Sequence, residues 1–221
     1  MSTVTSTNPL STPAESRTTR GLLACGIAAG PLFVLLIVAQ ALTRNGFDAT
    51  RHPLSMLSLG AHGWIQIGNF VVCGALALAS AVGLRRALDR TRTAAWASAL
   101  VGVYGASLIW AGIFPTDPAD GFPLGTPDGA PAEVSWHGML HNLAPVGSGL
   151  AVSAACAVFA YRYARARHRG WAYYCALAPI LYFALGFTAF PLHDYRLMLA
   201  GGALVWTCAS ACTLKTLTEM P

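Results

Sequence analysis

Six apolar segments, each long enough to cross a lipid bilayer, dominate this sequence. A helical span needs about 20 mainly apolar residues, and six segments meet that requirement: residues 21–43, 64–84, 94–114, 137–160, 171–190 and 197–214. Only 10% of the residues are charged, whereas a soluble domain carries roughly 25%. Because lipid cannot hydrogen-bond an open backbone, such segments form helices. The sequence therefore predicts an all-α fold, a polytopic membrane bundle of six transmembrane helices.

Short polar segments flank the predicted transmembrane domain, which occupies residues 21–214. Residues 1–20 are rich in Ser, Thr and Pro and contain no apolar run, which predicts a disordered tail. Residues 215–221 are predicted to form a second tail. The first apolar segment is span-length and five more follow, so we interpret it as a retained helix and not as a cleaved signal peptide.

Basic residues fall mainly in alternate connections between the spans. Eleven of the fourteen Lys and Arg lie at one end of the predicted bundle, and three lie at the other: Arg44, Arg51 and Arg196. Cytoplasmic loops carry the excess of Lys and Arg, so both termini are predicted to be cytoplasmic, in the inner (plasma) membrane of a bacterium. Because this bias accounts for the basic residues, we expect membrane lipids as partners and no nucleic acid.

Histidines and acids concentrate at the opposite end of the predicted bundle. Five of the six histidines lie there, with six of the nine acids: His52, His62, His137, His141, His193, Asp48, Asp117, Asp120, Asp128, Glu133 and Asp194. Depletion of Lys and Arg from outer loops explains part of the acid excess, but it does not explain the histidines. We therefore expect any functional site at the extracytoplasmic face.

The six cysteines all fall inside predicted spans, and none belongs to a Cys-x-x-Cys pair. In that setting a cysteine behaves as a small apolar residue. We predict no disulfide bonds.

Polar residues at helical spacing enter the membrane on two spans. His62, Gln66 and Asn69 share one face of the second span, and His137 and His141 begin a similar row on the fourth. Polar side chains at membrane depth face the bundle interior or a wet cavity. We predict a cavity open to the outside and closed toward the cytoplasm, lined by His62, Gln66, Asn69 and Asp194. The alternative is interhelical hydrogen bonding that serves packing alone.

The stretch SWHGMLHNLAP places two histidines one helical turn apart. Their Cβ atoms would lie about 5–6 Å apart, so His137 and His141 could share one Zn²⁺. Gly138 stands where a zincin carries its glutamate, so the motif is not that of a zincin. Pro145 cannot donate to the carbonyl of His141, and a kink is expected there.

A catalytic zinc would need a third protein ligand. The candidates are residues of the outer connections: His52, His62, Asp117, His193 and Asp194. We assign His137, His141 and His193 to the metal set, and Asp117, His52 and Ser55 to the catalytic set. Such a site would activate water against an ester or amide of a lipid-like substrate. If the histidines hold no zinc, no cofactor is expected.

Three motifs in order, RHPLSMLSLGAHGWIQIGNF, FPTDP with GFPLGTP, and HGMLHNL, resemble the bacterial and archaeal membrane family called domain of unknown function 998. The resemblance extends over residues 21–214. It implies a six-span membrane protein and names no substrate. The Ser, His and Asp set with an H-x-x-x-H pair is also similar to the seven-span hydrolases that include alkaline ceramidases and adiponectin receptors. The span number and the position of the pair differ, so the second likeness is chemical analogy.

Three functions remain open from the sequence. The first is a zinc-dependent hydrolase that works at the outer membrane face. The second is a non-enzymatic membrane module: a sensor, an accessory subunit or a structural element that uses the same residues as a polar cap. The third is a small transporter, which ranks last because the apolar cytoplasmic halves of the spans offer no route and no charged residue lies in the membrane centre to couple ion movement.

Overall fold

The computed structural model describes residues 13–131 and 133–220. Within these ranges the secondary structure is helical: α1 (Pro13–Thr43), α2 (Gly63–Ala87), α3 (Arg92–Ile113), α4 (Trp136–His141), α5 (Leu143–Arg165), α6 (Arg169–Leu192) and α7 (Arg196–Thr218), with a short 3-10 helix at Leu54–Ser58. Counting α4 and α5 as one span, six helices are long and apolar enough to cross a membrane. The predicted all-helical multi-span architecture is confirmed.

The helices are longer than the apolar segments that predicted them. Residues 13–20, expected to belong to a disordered tail, form the first turns of α1, and the rest of that tail lies outside the described residues. At the other terminus α7 continues to Thr218, past the predicted end at residue 214. Helix propensity does not stop at the edge of the hydrocarbon layer, so hydropathy alone underestimates helix length.

The spans form a closed ring. Each of α1, α2, α3, α5, α6 and α7 packs on the next in chain order, and α7 returns to α1. The end of the ring that carries His52, His62, His137, His141 and His193 is called the histidine end below, and the opposite end is called the arginine end.

The backbones of α2 and α3 approach each other closely at one crossing. A Cβ atom added at Gly74 would stand 2.6 Å from the carbonyl oxygen of Gly105, and one added at Gly105 would stand 2.6 Å from the carbonyl oxygen of Gly74. Small residues of this kind let two membrane helices approach to backbone contact, where van der Waals packing holds them together. This crossing holds α2, which carries Gln66, against α3.

The fourth predicted span is interrupted. α4 ends at His141 and α5 begins at Leu143, with Asn142 between them. The interruption lies in the turn before Pro145, which has no N–H to donate to the His141 carbonyl. Next to it, the indole nitrogen of Trp110 donates to the carbonyl oxygen of Leu140 at 2.8 Å. A side chain of α3 thus satisfies a backbone acceptor at the break.

Candidate functional site

A cavity of about 340 Å³ occupies the histidine half of the ring. Most of its wall is apolar, and it includes Phe33, Phe70, Leu108 and Trp206. The polar wall residues are few: Ser55, Gln66, Ser107, Thr116, His141, Asn142, Ser148 and the hydroxyl-bearing Tyr104 and Tyr182. None of the described residues that line the cavity is Asp, Glu, Lys or Arg. The cavity therefore suits a mainly apolar molecule with an uncharged polar group.

Buried amides form a hydrogen-bonded row behind one wall of the cavity. Gln40 of α1 donates through Nε2 to Oε1 of Gln66 at 2.9 Å, and Asn69 donates through Nδ2 to the same oxygen at 3.3 Å. Asn69 also donates to the carbonyl of Phe33 at 3.1 Å and accepts from the Cys73 thiol at 3.3 Å. These bonds connect α1 to α2 and fix the orientation of the Gln66 amide.

The Gln66 nitrogen is left without a partner by this arrangement. Gln66 is 0% exposed, and its Nε2 atom makes no hydrogen bond with any described residue. A buried donor that is unsatisfied costs about 1–3 kcal/mol, and nearly all buried polar groups in proteins do find a partner. Because both bonds to Gln40 and Asn69 use the oxygen, the nitrogen is the amide atom that has no partner among the described residues.

His141 is the second buried polar residue in the cavity wall, at 4% exposure. Its Nδ1 atom lies 2.7 Å from the carbonyl oxygen of Phe114. A carbonyl oxygen only accepts, so Nδ1 carries the proton and Nε2 of the neutral ring is an acceptor. A backbone bond of this kind fixes the tautomer and the ring orientation of a functional histidine.

An aromatic pair closes the cavity toward the arginine end. Tyr104 of α3 and Trp206 of α7 meet edge to face with ring centroids 4.9 Å apart, and both residues line the cavity. Beyond this pair the space between the helices, lined in part by Val152 and Cys156, holds only about 20 Å³. The cavity is thus confined to the histidine half of the bundle.

His52 joins the two long connections at the histidine end. Its Nδ1 accepts from the backbone N–H of Asp48 at 2.9 Å, and its Nε2 donates to the carbonyl oxygen of Asp120 at 2.9 Å. The ring packs between Phe47 and Phe122 and is 3% exposed. Both nitrogens are therefore committed to the loops in this structure, and a catalytic role for His52 stays a prediction.

Ser55 and Asp117, the other predicted catalytic residues, lie in different places. Ser55 lines the cavity at the start of the 3-10 helix. The Asp117 carboxylate accepts from the backbone N–H of Ser135 at 3.0 Å, and it lies so close over Gly138 that a Cβ there would collide with it. Gly138, at the position of the zincin glutamate, is thus explained by the packing of Asp117.

The remaining predicted histidines are on the surface. His137 is exposed and stacks on Trp136, with ring centroids 3.5 Å apart. His193 is exposed and ends α6 in the left-handed conformation, at φ 50°. His62 is exposed at the start of α2 and does not line the cavity.

Hydrogen bonds from neighbouring groups stabilise the ionised form of two acids at the histidine end. Asp194, a predicted cavity residue, pairs with Arg196 at 2.6 Å and does not line the cavity. This hydrogen-bonded pair holds the pKa of Asp194 below its usual value. The hydroxyl and the N–H of Thr50 hold the pKa of Asp48 below its usual value in the same way.

The predicted metal set does not converge. Among the described residues, only one group of three or more His, Cys, Asp or Glu brings its ligand atoms within 4.8 Å of one another: Cys175, Cys208 and Cys212. That group lies toward the arginine end, away from His137, His141 and His193. A metal role for these three histidines stays a prediction.

Gln66 and His141 were identified as candidate site residues from the sequence. The Tyr104–Trp206 pair and the cysteine group were not. Tyr104 and Trp206 stand in apolar segments, where nothing in the local pattern separates them from lipid-facing aromatics. Cys208 and Cys212 share a C-x-x-x-C spacing on one helical face, and this is the signal that could have been used.

A family model described as "Protein of unknown function (DUF998)" matches residues 27–215. Comparison with curated proteins and with solved structures gives no match.

Proposed function

This chain belongs to the DUF998 family, and from that premise we propose that it binds a lipid-like molecule with an uncharged polar head group in the cavity at the histidine end. The head group would accept a hydrogen bond from Gln66 and donate one to His141. The apolar part would lie against Phe33, Phe70 and Leu108. The same cavity would also serve a sensor, since a sensor requires ligand binding.

The unpartnered Gln66 nitrogen is the observation that carries this proposal. In a membrane interior the cost of an unsatisfied donor is not relieved by bulk water. A ligand oxygen placed against Nε2 would remove that cost, so binding gains from a group that is already oriented by Gln40 and Asn69.

The head group is inferred to be neutral from the composition of the wall. The described lining contains no charged side chain that could pair with an ammonium, a carboxylate or a phosphate, and an unpaired charge in this setting is costly. The volume of about 340 Å³ lies at the lower end of the roughly 300–1,000 Å³ typical of small-molecule sites. A single-chain neutral lipid, such as a monoacylglycerol, has the required chemistry.

The ligand is inferred to enter from the outer leaflet of the plasma membrane. The arginine end carries eleven of the fourteen Lys and Arg, so the positive-inside bias assigns it to the cytoplasm, together with both termini. The cavity then faces the extracytoplasmic side, and the Tyr104–Trp206 pair separates it from the cytoplasmic half of the bundle.

Lipid retention tests the proposal with two ligands that differ only in the head group. Purified protein is incubated with a monoacylglycerol or with a lysophosphatidylglycerol of the same chain length, and bound lipid is counted by native mass spectrometry. We expect the neutral lipid to be retained and the anionic lipid to be lost. Equal retention of both would contradict a site selective for neutral head groups.

A metal-assisted or histidine-assisted hydrolase is the second candidate, because His141 lines the cavity and its ring is held by the Phe114 carbonyl. A backbone bond to Nδ1 is the usual support for a histidine that binds a metal or accepts a proton. In this version Ser55, which lines the same cavity, is near the substrate ester, and Asp117, His137 and His193 retain their predicted roles. Release of fatty acid from a bound monoacylglycerol, abolished by His141→Gln, would establish the hydrolase; binding without release would leave the chain a binding protein.

A further inference from the structure

Four of the six cysteines meet between α5, α6 and α7. The Sγ atoms of Cys175 and Cys212 lie 3.4 Å apart, those of Cys175 and Cys208 lie 3.8 Å apart, and those of Cys156 and Cys208 also lie 3.8 Å apart. All four side chains are buried, and all are free thiols. Cys175, Cys208 and Cys212 form the tight group, since all three sulfurs lie within 4.8 Å of one another.

Helix geometry places the thiols of Cys175 and Cys212 at one level near the arginine end. Cys175 lies six residues from the start of α6 at Arg169, and Cys212 lies six residues from the end of α7 at Thr218. At 1.5 Å per residue, each is about 9 Å from its helix terminus. Residues from both neighbouring helices therefore reach a common point close to the predicted cytoplasmic surface.

The sulfur separations match those around a single metal ion. A thiolate binds a metal at about 2.3 Å, so three sulfurs in a plane around one ion lie about 4 Å apart. The two measured separations within the group, 3.4 and 3.8 Å, are close to that value. Cys208 and Cys212 are one helical turn apart, and Cys175 approaches from α6 to complete a triangle.

We propose that Cys175, Cys208 and Cys212 bind one cuprous ion. Soft thiolate ligands select Cu(I), Zn²⁺ and iron–sulfur clusters. Structural Zn²⁺ requires four ligands in a tetrahedron, whereas here three sulfurs converge and Cys156, 3.8 Å from Cys208, lies outside the group whose sulfurs are all within 4.8 Å of one another.

Lys215, the cation that lies over Tyr163 near the cysteines, is already paired with Glu219 at 2.6 Å. The thiols must release protons when they bind the ion. The Tyr163 side chain lies beside Cys212, and the Lys215 ammonium stands 5.7 Å from the centre of the Tyr163 ring and 5.4 Å from that of Trp171. Because Lys215 is balanced by Glu219, the bound ion itself must offset the thiolate charge.

A cavity at the arginine end approaches the group without reaching its cysteines. A cavity of about 140 Å³ opens there, lined in part by Phe159, Tyr163 and Arg162. Phe159 and Tyr163 pack in the same buried cluster as Cys175, Cys208 and Cys212. An ion carried by a cytoplasmic thiol donor could reach the cysteines past these two rings.

Competition with a chromogenic chelator tests the site. The full chain, purified and reduced under anaerobic conditions, is titrated with Cu(I) in the presence of bathocuproine disulfonate, and the copper withheld from the chelator is measured. We expect one ion per chain for the wild type and for the control Cys25→Ser/Cys73→Ser, whose thiols lie outside the group. We expect loss of that ion for Cys212→Ala and for Cys175→Ala.

X-ray absorption at the copper edge provides a measurement that does not depend on any variant folding. The wild type loaded with one Cu(I) should show three sulfur neighbours near 2.3 Å. Failure of the wild type to withhold copper would overturn the proposal, as would a cysteine-free coordination shell. Binding of Zn²⁺ but not Cu(I), abolished by Cys156→Ala, would overturn the assignment of the ion in favour of a four-cysteine zinc site.

Discussion

The side chains of Gln40 and Gln66 join α1 to α2 through a single buried hydrogen bond of 2.9 Å between Nε2 of the first and Oε1 of the second. Gln40 is 4% exposed and also donates to the carbonyl of Leu36 at 3.1 Å, within its own helix. The bond occupies the Gln66 oxygen and so determines that the nitrogen is the free end of the amide.

Replacing Gln40 by Leu should weaken the proposed ligand site without removing any wall residue. The Gln66 side-chain oxygen would lose the hydrogen bond that Gln40 donates, and the Gln66 amide could rotate. We expect destabilisation by about 1–2 kcal/mol and weaker retention of a monoacylglycerol, measured by thermal unfolding in detergent and by native mass spectrometry. Thr43→Val, an exposed change on the same helix, should alter neither quantity. Unchanged retention in Gln40→Leu would argue against orientation of Gln66 by Gln40.

Two glycines of α2 should respond in opposite ways to the same substitution. Gly74→Ala brings a Cβ to 2.6 Å from the Gly105 carbonyl oxygen, whereas a Cβ at Gly68 meets nothing within 4 Å. Overpacking of this kind costs about 1–3 kcal/mol, while Gly to Ala in an open helical position gains about 0.5–1 kcal/mol. The midpoint of thermal unfolding should therefore fall for Gly74→Ala and stay or rise for Gly68→Ala. Equal midpoints would contradict the close crossing of α2 and α3.

His52→Phe should loosen the connections at the histidine end. Phenylalanine keeps an aromatic ring against Phe47 and Phe122, but it cannot accept from Asp48 or donate to Asp120. Two backbone groups lose their partner, and we expect a loss of about 1–3 kcal/mol with faster proteolysis within residues 114–135. His62→Phe, at an exposed position, is the control. A cleavage rate equal to that of the wild type would show that His52 does not join the loops.

Acid should weaken the first connection through Asp48. The pKa of Asp48 lies below its ordinary value of 3.8 because Thr50 donates to the carboxylate. A carboxyl with a lowered pKa in the folded state stabilises the fold above the unfolded pKa, and this contribution is lost as the pH falls through the folded pKa. Asp48→Asn should therefore lower the unfolding midpoint at about pH 7 but not at about pH 2. An equal effect at both pH values would contradict the assignment.

The polar wall of the cavity was partly predictable because helical spacing determines which residues share a face. Gln66 and Asn69 were expected to line the cavity; both are buried, but of the two only Gln66 lines it. Helical spacing alone predicts the same environment for His137 and His141. In the structure His137 stacks on Trp136 at the surface, and His141 is buried beside Phe114. Spacing gives relative positions on a helix, but neighbouring helices determine which side is covered.

Contacts between segments that are far apart along the chain could not be predicted from the sequence. The cysteine group depends on how α6 and α7 face each other, and only its Cys208 and Cys212 spacing is local. The role of His52 depends on Asp120, 68 residues away. The start of α1 at Pro13 was not predicted for another reason. A helix can begin in a polar segment outside the membrane and continue into the apolar span, and hydropathy does not detect the polar part.

The dissociation constant of a monoacylglycerol for Gln66→Leu, compared with the wild type, tests the central claim most directly. Leucine removes the amide donor and keeps an apolar side chain of similar size, so we expect binding about tenfold weaker, equivalent to about 1.4 kcal/mol. Ser107→Ala is the matched control, because Ser107 lines the cavity but donates to the Val103 carbonyl of its own helix at 2.9 Å. A tenfold loss for Gln66→Leu with Ser107→Ala unchanged supports the account, and equal affinity for all three proteins would contradict it.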